Sequence, residues 1–135
     1  MQLSRAGDYA LRMMLDLARV QAAPVRDIAS RQSIPEAYLT KVVQSLARAG
    51  MVQTVRGPHG GVRLARPAEQ ISLRDVIEAA QGSLVRDPCL VWVGHCPHTT
   101  DCRTPAIWRG LQKLLVRELE NISVADLVLS AVPGG

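Results

Sequence analysis

A chain of 135 residues with 47% apolar side chains has room for one real core, and with 3% aromatics and no Phe that core must be aliphatic. No apolar run reaches spanning length and no secretory leader is visible, so the expectation is a cytoplasmic protein with no membrane partner. The charge of +4 is unevenly spread: residues 1–67 carry ten Arg and Lys against four Asp and Glu, residues 68–135 six against eight. A basic amino-terminal half is the footprint of a polyanion partner; a solvated basic face is the plainer alternative.

The first helix opens with Ser4 as N-cap, and Ala6, Tyr9, Ala10, Met13, Met14, Leu17 and Ala18 recur at helical spacing until Gln21-Ala-Ala-Pro24 breaks the pattern. A short second helix follows, with Pro24 in its first turn, Val25, Ile28 and Ala29 facing inward and Ser33 marking the turn. Pro35 opens a third helix whose apolar stripe is Tyr38, Leu39, Val42, Val43, Leu46 and Ala49, ended by Gly50. Its other face, which includes Ala37, Thr40, Lys41 and Gln44, is small, polar and modestly basic, a composition that approaches base edges and phosphates. Two short helices with a tight junction at Ser33-Ile34 form a helix-turn-helix pattern.

Met51–Val55 alternates as a strand, Arg56-Gly-Pro-His-Gly-Gly61 is a turn, and Val62–Ala65 returns as a second strand. This is a β-wing, with Arg56, His59 and Arg63 as candidate DNA contacts. The glycine-rich turn opens no helix and lacks a following Lys-Ser/Thr, which sets a nucleotide-binding P-loop aside. Past the joint at residues 65–68, a fourth helix spans Leu73 to Gln81 behind a Ser72/Asp75 cap. A fifth spans Pro105 to about Asn121 with a broad apolar stripe, and Ser123 with Asp126 caps a last short helix ending near Ser130. The fifth helix is long and apolar for so small a chain, which suits packing against a symmetry mate; burial within one subunit is the alternative. The expected fold is therefore mainly α with a small β-wing: a winged helix-turn-helix region, 1–67, and a second part, 68–135, made of a helix, a cysteine loop and a long dimerisation helix.

All three cysteines, Cys89, Cys96 and Cys102, lie on the excursion between the fourth and fifth helices, together with His95 and His98. Three thiols on a short loop of an otherwise cysteine-free chain point to a metal or cluster site more than to a disulfide framework. Zinc held by the three cysteines and His95 or His98 is a rival, but gaps of six and five residues exceed the usual spacing of two to four. A cluster-free thiol switch is another rival. Nucleophilic catalysis finds no positioned base and no signalled pocket, so no enzyme is expected.

The run Tyr38-Leu39, then Leu46-Ala-Arg-Ala-Gly50, then Val55-Arg-Gly-Pro-His-Gly-Gly61 resembles the iron–sulfur winged-helix transcription regulators typified by IscR and NsrR. The opening Leu3-Ser-Arg-Ala-Gly-Asp-Tyr-Ala-Leu11, the three-cysteine loop and Trp108-Arg109 fit the same family, over nearly the whole chain. The resemblance implies a homodimer built on the fifth helix, bound to double-stranded DNA at a palindromic operator, with the third helix in the major groove and Arg56 in the minor groove. It implies base contacts from Ala37, Thr40 and Lys41. It also implies a [2Fe-2S] or [4Fe-4S] cluster on Cys89, Cys96 and Cys102, since thiolates are the usual ligands of such clusters. One branch of the family takes its fourth ligand from a His three residues past the last cysteine; Pro105 stands there, so that transfer fails. Another branch uses an Asp early in the first helix of the partner subunit, which corresponds to Asp8, with His98 or His95 as second choices. The reading that follows is a regulator, expected to be a repressor, sensing redox state, nitric oxide or iron and cluster supply; the alternative is a zinc-bound or cluster-free thiol-switch regulator.

Overall fold

The structure, a computed structural model, describes residues 3–58, 60–85 and 104–129. The helices are α1 (Arg5–Val20), α2 (Val25–Gln32), α3 (Glu36–Arg48), α4 (Leu73–Gln81), α5 (Pro105–Asn121) and α6 (Val124–Leu129), with strands β1 (Ala22–Ala23), β2 (Val52–Val55) and β3 (Gly61–Leu64) and a 3-10 turn at Ala68–Gln70. Cys89, Cys96, Cys102, His95, His98 and His59 lie outside the described residues.

Local chemistry sets most of the boundaries. Ser4 caps α1 by accepting from the Gly7 N–H, and Ser72 caps α4 by accepting from Asp75. Ser123 and Asp126 cap α6 reciprocally, the Ser123 N–H donating to the Asp126 carboxylate and the Asp126 N–H to the Ser123 hydroxyl. Pro24 and Pro35 stand at the N-cap, one position earlier than the first-turn places expected, because each has extended backbone. Ser33 closes α2 in the left-handed region at φ 55°, which makes the turn tight.

Two sequence expectations need correction. Gln21–Pro24 is more than a break. Gln21 reverses the chain at φ 68°, and Ala22–Ala23 then pairs antiparallel with β3, so the wing belongs to a three-stranded sheet of order β1-β3-β2. A two-residue strand has no alternation to read, and its pairing partner is about forty residues away. The stripe of α3 is also narrower than expected. Tyr38 is exposed and meets Tyr9 edge-on, ring centroids 5.1 Å apart, and Ala49 is exposed beyond the helix end.

Met13, Met14, Leu17, Ile28, Leu39, Leu46 and Val62 form the centre of an aliphatic core. That core does not stop at the joint after β3: Ile71, Val76 and Val124 belong to the same cluster. Backbone bonds pin the start of α6 to the start of α4, Val124 N–H to Ile71 at 2.8 Å and Leu73 N–H to Ile122 at 2.9 Å. The long helix α5 joins through a smaller cluster of Ile77, Leu84 and Val116, with Leu11 and Leu119 against it.

Candidate nucleic-acid interface and the mount of the cysteine loop

Four of the expected contact residues share one exposed face of α3: Ala37, Thr40, Lys41 and Gln44 follow the i, i+3, i+4, i+7 spacing of neighbours on a helix. The Thr40 hydroxyl donates to the Glu36 carbonyl at 3.0 Å, whereas Lys41 and Gln44 make no side-chain hydrogen bond among the described residues. Their polar ends are held in water, ready to exchange it for another partner. The opposite face of the helix buries Leu39, Val42, Val43 and Leu46, so the polar face is fixed outward by the core.

Residue Asp16, missed in the sequence, helps set the angle of this helix pair. It is 4% exposed, and Arg31 grips it bidentately, Nε to Oδ2 at 2.9 Å and Nη2 to Oδ1 at 2.6 Å, while Gln32 donates to Oδ2 at 3.2 Å. The Arg31 hydrogen bonds hold the Asp16 carboxyl below its usual range against the opposing effect of burial. Arg31 and Gln32 are the last residues of α2, so the bond fastens α1 to the very turn that launches α3. The readable signal was an acid at Met13+3, on the arc that the apolar spacing assigns to the interior.

The wing follows α3 almost at once: the Met51 N–H donates to the Leu46 carbonyl, and β2 begins at Val52. The turn between β2 and β3 is closed by Gly60 N–H to Gly57 O at 2.9 Å. Gly57 takes φ 111°, and a Cβ on Gly60 would overlap the Val55 carbonyl, so the turn needs both glycines. Arg56 stands exposed at the start of this turn with no ion pair among the described residues. Arg63 is placed differently, opposite Gln53 in the sheet register, with its Nε and Nη2 on Gln53 Oε1 at 3.2 and 3.1 Å. It is a held cation on the sheet, and Arg56 is the cation of the turn.

The cysteine segment follows α4 in the chain. Glu78 accepts the Leu84 N–H at 2.9 Å and Arg74 Nε at 2.7 Å, and Arg74 also pairs with Glu120 of α5. The chain leaving α4 is thereby tied back to the helix, and the hydrogen bonds from Leu84 and Arg74 lower the Glu78 carboxyl pKa against the opposing effect of burial. The other end of this mount is α1. The Ser4 N–H donates to Gln81 Oε1 at 2.7 Å, and Gly7 lies so close to the same amide that a Cβ would overlap it. Asp8, the candidate fourth ligand, is the next residue. It is half-exposed and paired with Arg12 at 3.0 Å. Its carboxylate thus sits on the turn of α1 that touches the end of α4, next to Tyr9, whose ring meets Tyr38 of α3.

A helix-turn-helix followed by a β-wing, on an aliphatic core with an exposed polar face on α3, defines a winged-helix DNA-binding regulator. Comparison agrees and narrows it. Residues 3–130 match the Rrf2 family, described as iron-dependent transcriptional regulators. The chain is 35% identical to Protein rrf2 of Nitratidesulfovibrio vulgaris over 97% of its length and 89% of that protein. It is 37% identical to the transcriptional regulator IscR of Vibrio vulnificus, over 95% of this chain and 77% of the relative. Among solved structures, CymR, the global cysteine regulator of B. subtilis, superposes with a TM-score of 0.77 at 25% identity, covering 96% of this chain and 97% of that one. IscR of T. potens superposes with 0.75 at 29% identity, covering 97% and 88%. This chain belongs to the Rrf2 family of transcriptional regulators; its relatives are regulators and not enzymes. No helix among the described residues is long and apolar enough to cross a membrane.

Proposed function

We propose that this protein is a homodimeric repressor whose hold on a palindromic operator is set by an iron–sulfur cluster on Cys89, Cys96 and Cys102. The observation that carries the reading is the mount just described. Residues leading into the cysteine segment are tied to α4 through Glu78, and α4 is tied to α1 through Gln81. The donor set fits: three thiols suit an iron–sulfur cluster, and Asp8 contributed by the partner subunit offers an oxygen ligand, with His98 or His95 as alternatives. To serve as a ligand Asp8 would give up its pairing with Arg12. When bound, the cluster supplies a centre sensitive to redox state, nitric oxide or iron supply.

The DNA-binding region is residues 1–67. In it Ala37, Thr40, Lys41 and Gln44 meet base edges and phosphates, Arg56 enters the minor groove, and His59 and Arg63 support it from the wing. Residues 68–135 carry the sensor and the dimer helix α5, which leaves Ile107, Leu111, Leu114 and Leu115 between 41% and 59% exposed in a single chain. These four side chains make one contiguous apolar patch on a helix face, the kind of surface that often marks an interaction site. A change at the loop moves α4 against α1 and so biases α3. A coupling of about 1–3 kcal/mol is enough to shift occupancy five- to hundredfold.

The deciding experiment is the visible absorption spectrum of anaerobically purified protein, with iron and sulfide measured on the same sample and operator affinity measured before and after chelation. Matching iron and sulfide with a change in affinity is the expected result. A colourless, zinc-bearing or metal-free protein refutes the cluster. A second reading, a cluster-free thiol switch, is favoured by one observation: CymR of Staphylococcus aureus in its oxidized form superposes with a TM-score of 0.75 at 26% identity. It expects affinity to follow peroxide and thiol treatment without iron.

A further inference from the structure

Residues 68–135 are the acidic half of the chain, yet their cations are gathered in one place. Among the described residues this half holds Arg74, Arg109, Lys113 and Arg117, and all of them line a single open cavity of about 600 Å³ between α5 and the chain leaving α4. Among the described acids of the same half, only Glu120 lines it, and Arg74 engages that carboxylate. Val85 and Val116 supply apolar wall. No residue of α3 or of the wing lines the cavity, so it is no extension of the face proposed for DNA.

Nothing among the described residues offsets this clustering. Arg109, Lys113 and Arg117 follow one another at i, i+4 and i+8, and like charges at that spacing oppose helix formation. All three are exposed and make no ion pair among the described residues. Arg74 differs, because Glu78 and Glu120 hold it. The row on α5 is therefore a strip of cations facing a cavity, with its counter-charge still to be supplied.

We infer that this cavity is a binding site for a small organic anion carrying two or more phosphate or carboxylate groups. A cleft lined by one sign of charge and walled by apolar side chains focuses the field and concentrates counter-ions. Successive cations of the row are about 6 Å apart along the helix axis, a span that several anionic groups of one molecule bridge and a single small ion does not. The guanidiniums of Arg109 and Arg117 offer forked donors that match phosphate and carboxylate oxygens. The volume falls within the range of small-molecule pockets, roughly 300–1,000 Å³, and Val85 and Val116 give an organic body something to rest on. Arg74 at the edge of the cavity also bonds Glu78, which accepts the Leu84 N–H. A bound anion thus sits one ion pair away from the bond that ties the chain leaving α4 back to that helix. The site gives the regulator a diffusible input that does not depend on what the cysteines hold.

Isothermal titration calorimetry of the full chain at fixed ionic strength tests this, with pyrophosphate and citrate as separate probes. The expected result is saturable binding of at least one probe, one per chain, weakened at least tenfold by Lys113→Gln and by Arg117→Gln and unchanged by Arg56→Ala. Which probe binds more tightly separates phosphate from carboxylate recognition. Without probe, both glutamine variants should unfold at the same temperature as the wild type or higher, because a like-charge contact is gone, and the probe should raise the Tm of the wild type far more than theirs. Absence of saturation by either probe at millimolar concentration overturns the site, as does binding that survives in both variants. Binding lost in Arg56→Ala places the anion on the wing and overturns it too. Glutamine variants that lose thermal stability or self-association without probe give the row a structural role and overturn it as well.

Discussion

The two ends of the molecule handle their apolar surface differently. From α1 to β3 nearly every large aliphatic side chain finds its place inside the chain, and among the described residues no buried side-chain polar atom lacks a partner. Helix α5 buries Val116 and, in part, Trp108 and Leu119, yet leaves four large aliphatics about half in water. The first region is finished as a monomer. The second leaves four aliphatics of α5 about half exposed, which the proposed dimer would cover, whereas the exposed face of α3 is polar, which suits the proposed contact with a polyanion. A core residue and an interface residue look alike in sequence; the difference lies in whether the same chain supplies the cover.

The largest effect should come from attacking that unfinished half. Leu114→Glu places a charge on the exposed apolar face of α5, where it is harmless in a monomer and costly in a dimer. Operator affinity should drop by roughly a hundredfold or more because two half-sites are no longer read together, with the thermal midpoint of the monomer little changed. Sedimentation and gel-shift titration check both, and a variant that remains a tight dimer removes α5 from the interface.

In the finished half the sharpest blow is Asp16→Ala. It leaves Arg31 and Gln32 without their shared acceptor and opens a gap between α1 and α2; because Arg31 is itself 43% exposed, the cost is about 2–3 kcal/mol in denaturant unfolding. The same carboxylate adds an acid limb to stability. Its folded-state pKa lies below the unfolded value, so its contribution is complete above the unfolded pKa and is lost as pH falls through the folded one. The wild type should lose stability on acidification below the ordinary carboxylate range, and Asp16→Asn should flatten that limb; an unchanged acid profile would assign the limb to other carboxylates.

Arg56→Ala touches neither core nor dimer. It should weaken operator binding about tenfold and lower the slope of log affinity against log salt by about one, the mark of one lost phosphate-region cation. Unchanged affinity would take the wing turn out of the interface. The smallest expected effect is that of Ser72→Ala, which removes the acceptor for the Asp75 N–H at the start of α4 and should cost about 1 kcal/mol.

Much of this was legible one residue at a time. Ser4, Ser72 and the Ser123/Asp126 pair marked helix starts, Gly57 and Gly60 marked the wing turn, and the spacing of Met13, Met14 and Leu17 marked a buried face. The polar face of α3 was legible too, because helical spacing alone puts Ala37, Thr40, Lys41 and Gln44 side by side. What spacing could not show was where distant segments meet. Ala22–Ala23 became a strand only because Gly61 lets β3 come within hydrogen-bonding reach. Asp16 became a buried acceptor only because α2 ends with Arg31 beside it.

The sequence by itself determined the elements, their caps and the chemistry of each face, since these depend on neighbours three or four residues apart. Tertiary structure alone decided three things: that Gln81 fastens the end of α4 to the start of α1, that Arg63 is held by Gln53 while Arg56 has no ion pair among the described residues, and that half of the α5 stripe stays uncovered. Each depends on which surfaces are brought together across long stretches of chain, and burial is a property of the pair of surfaces, never of one helix alone.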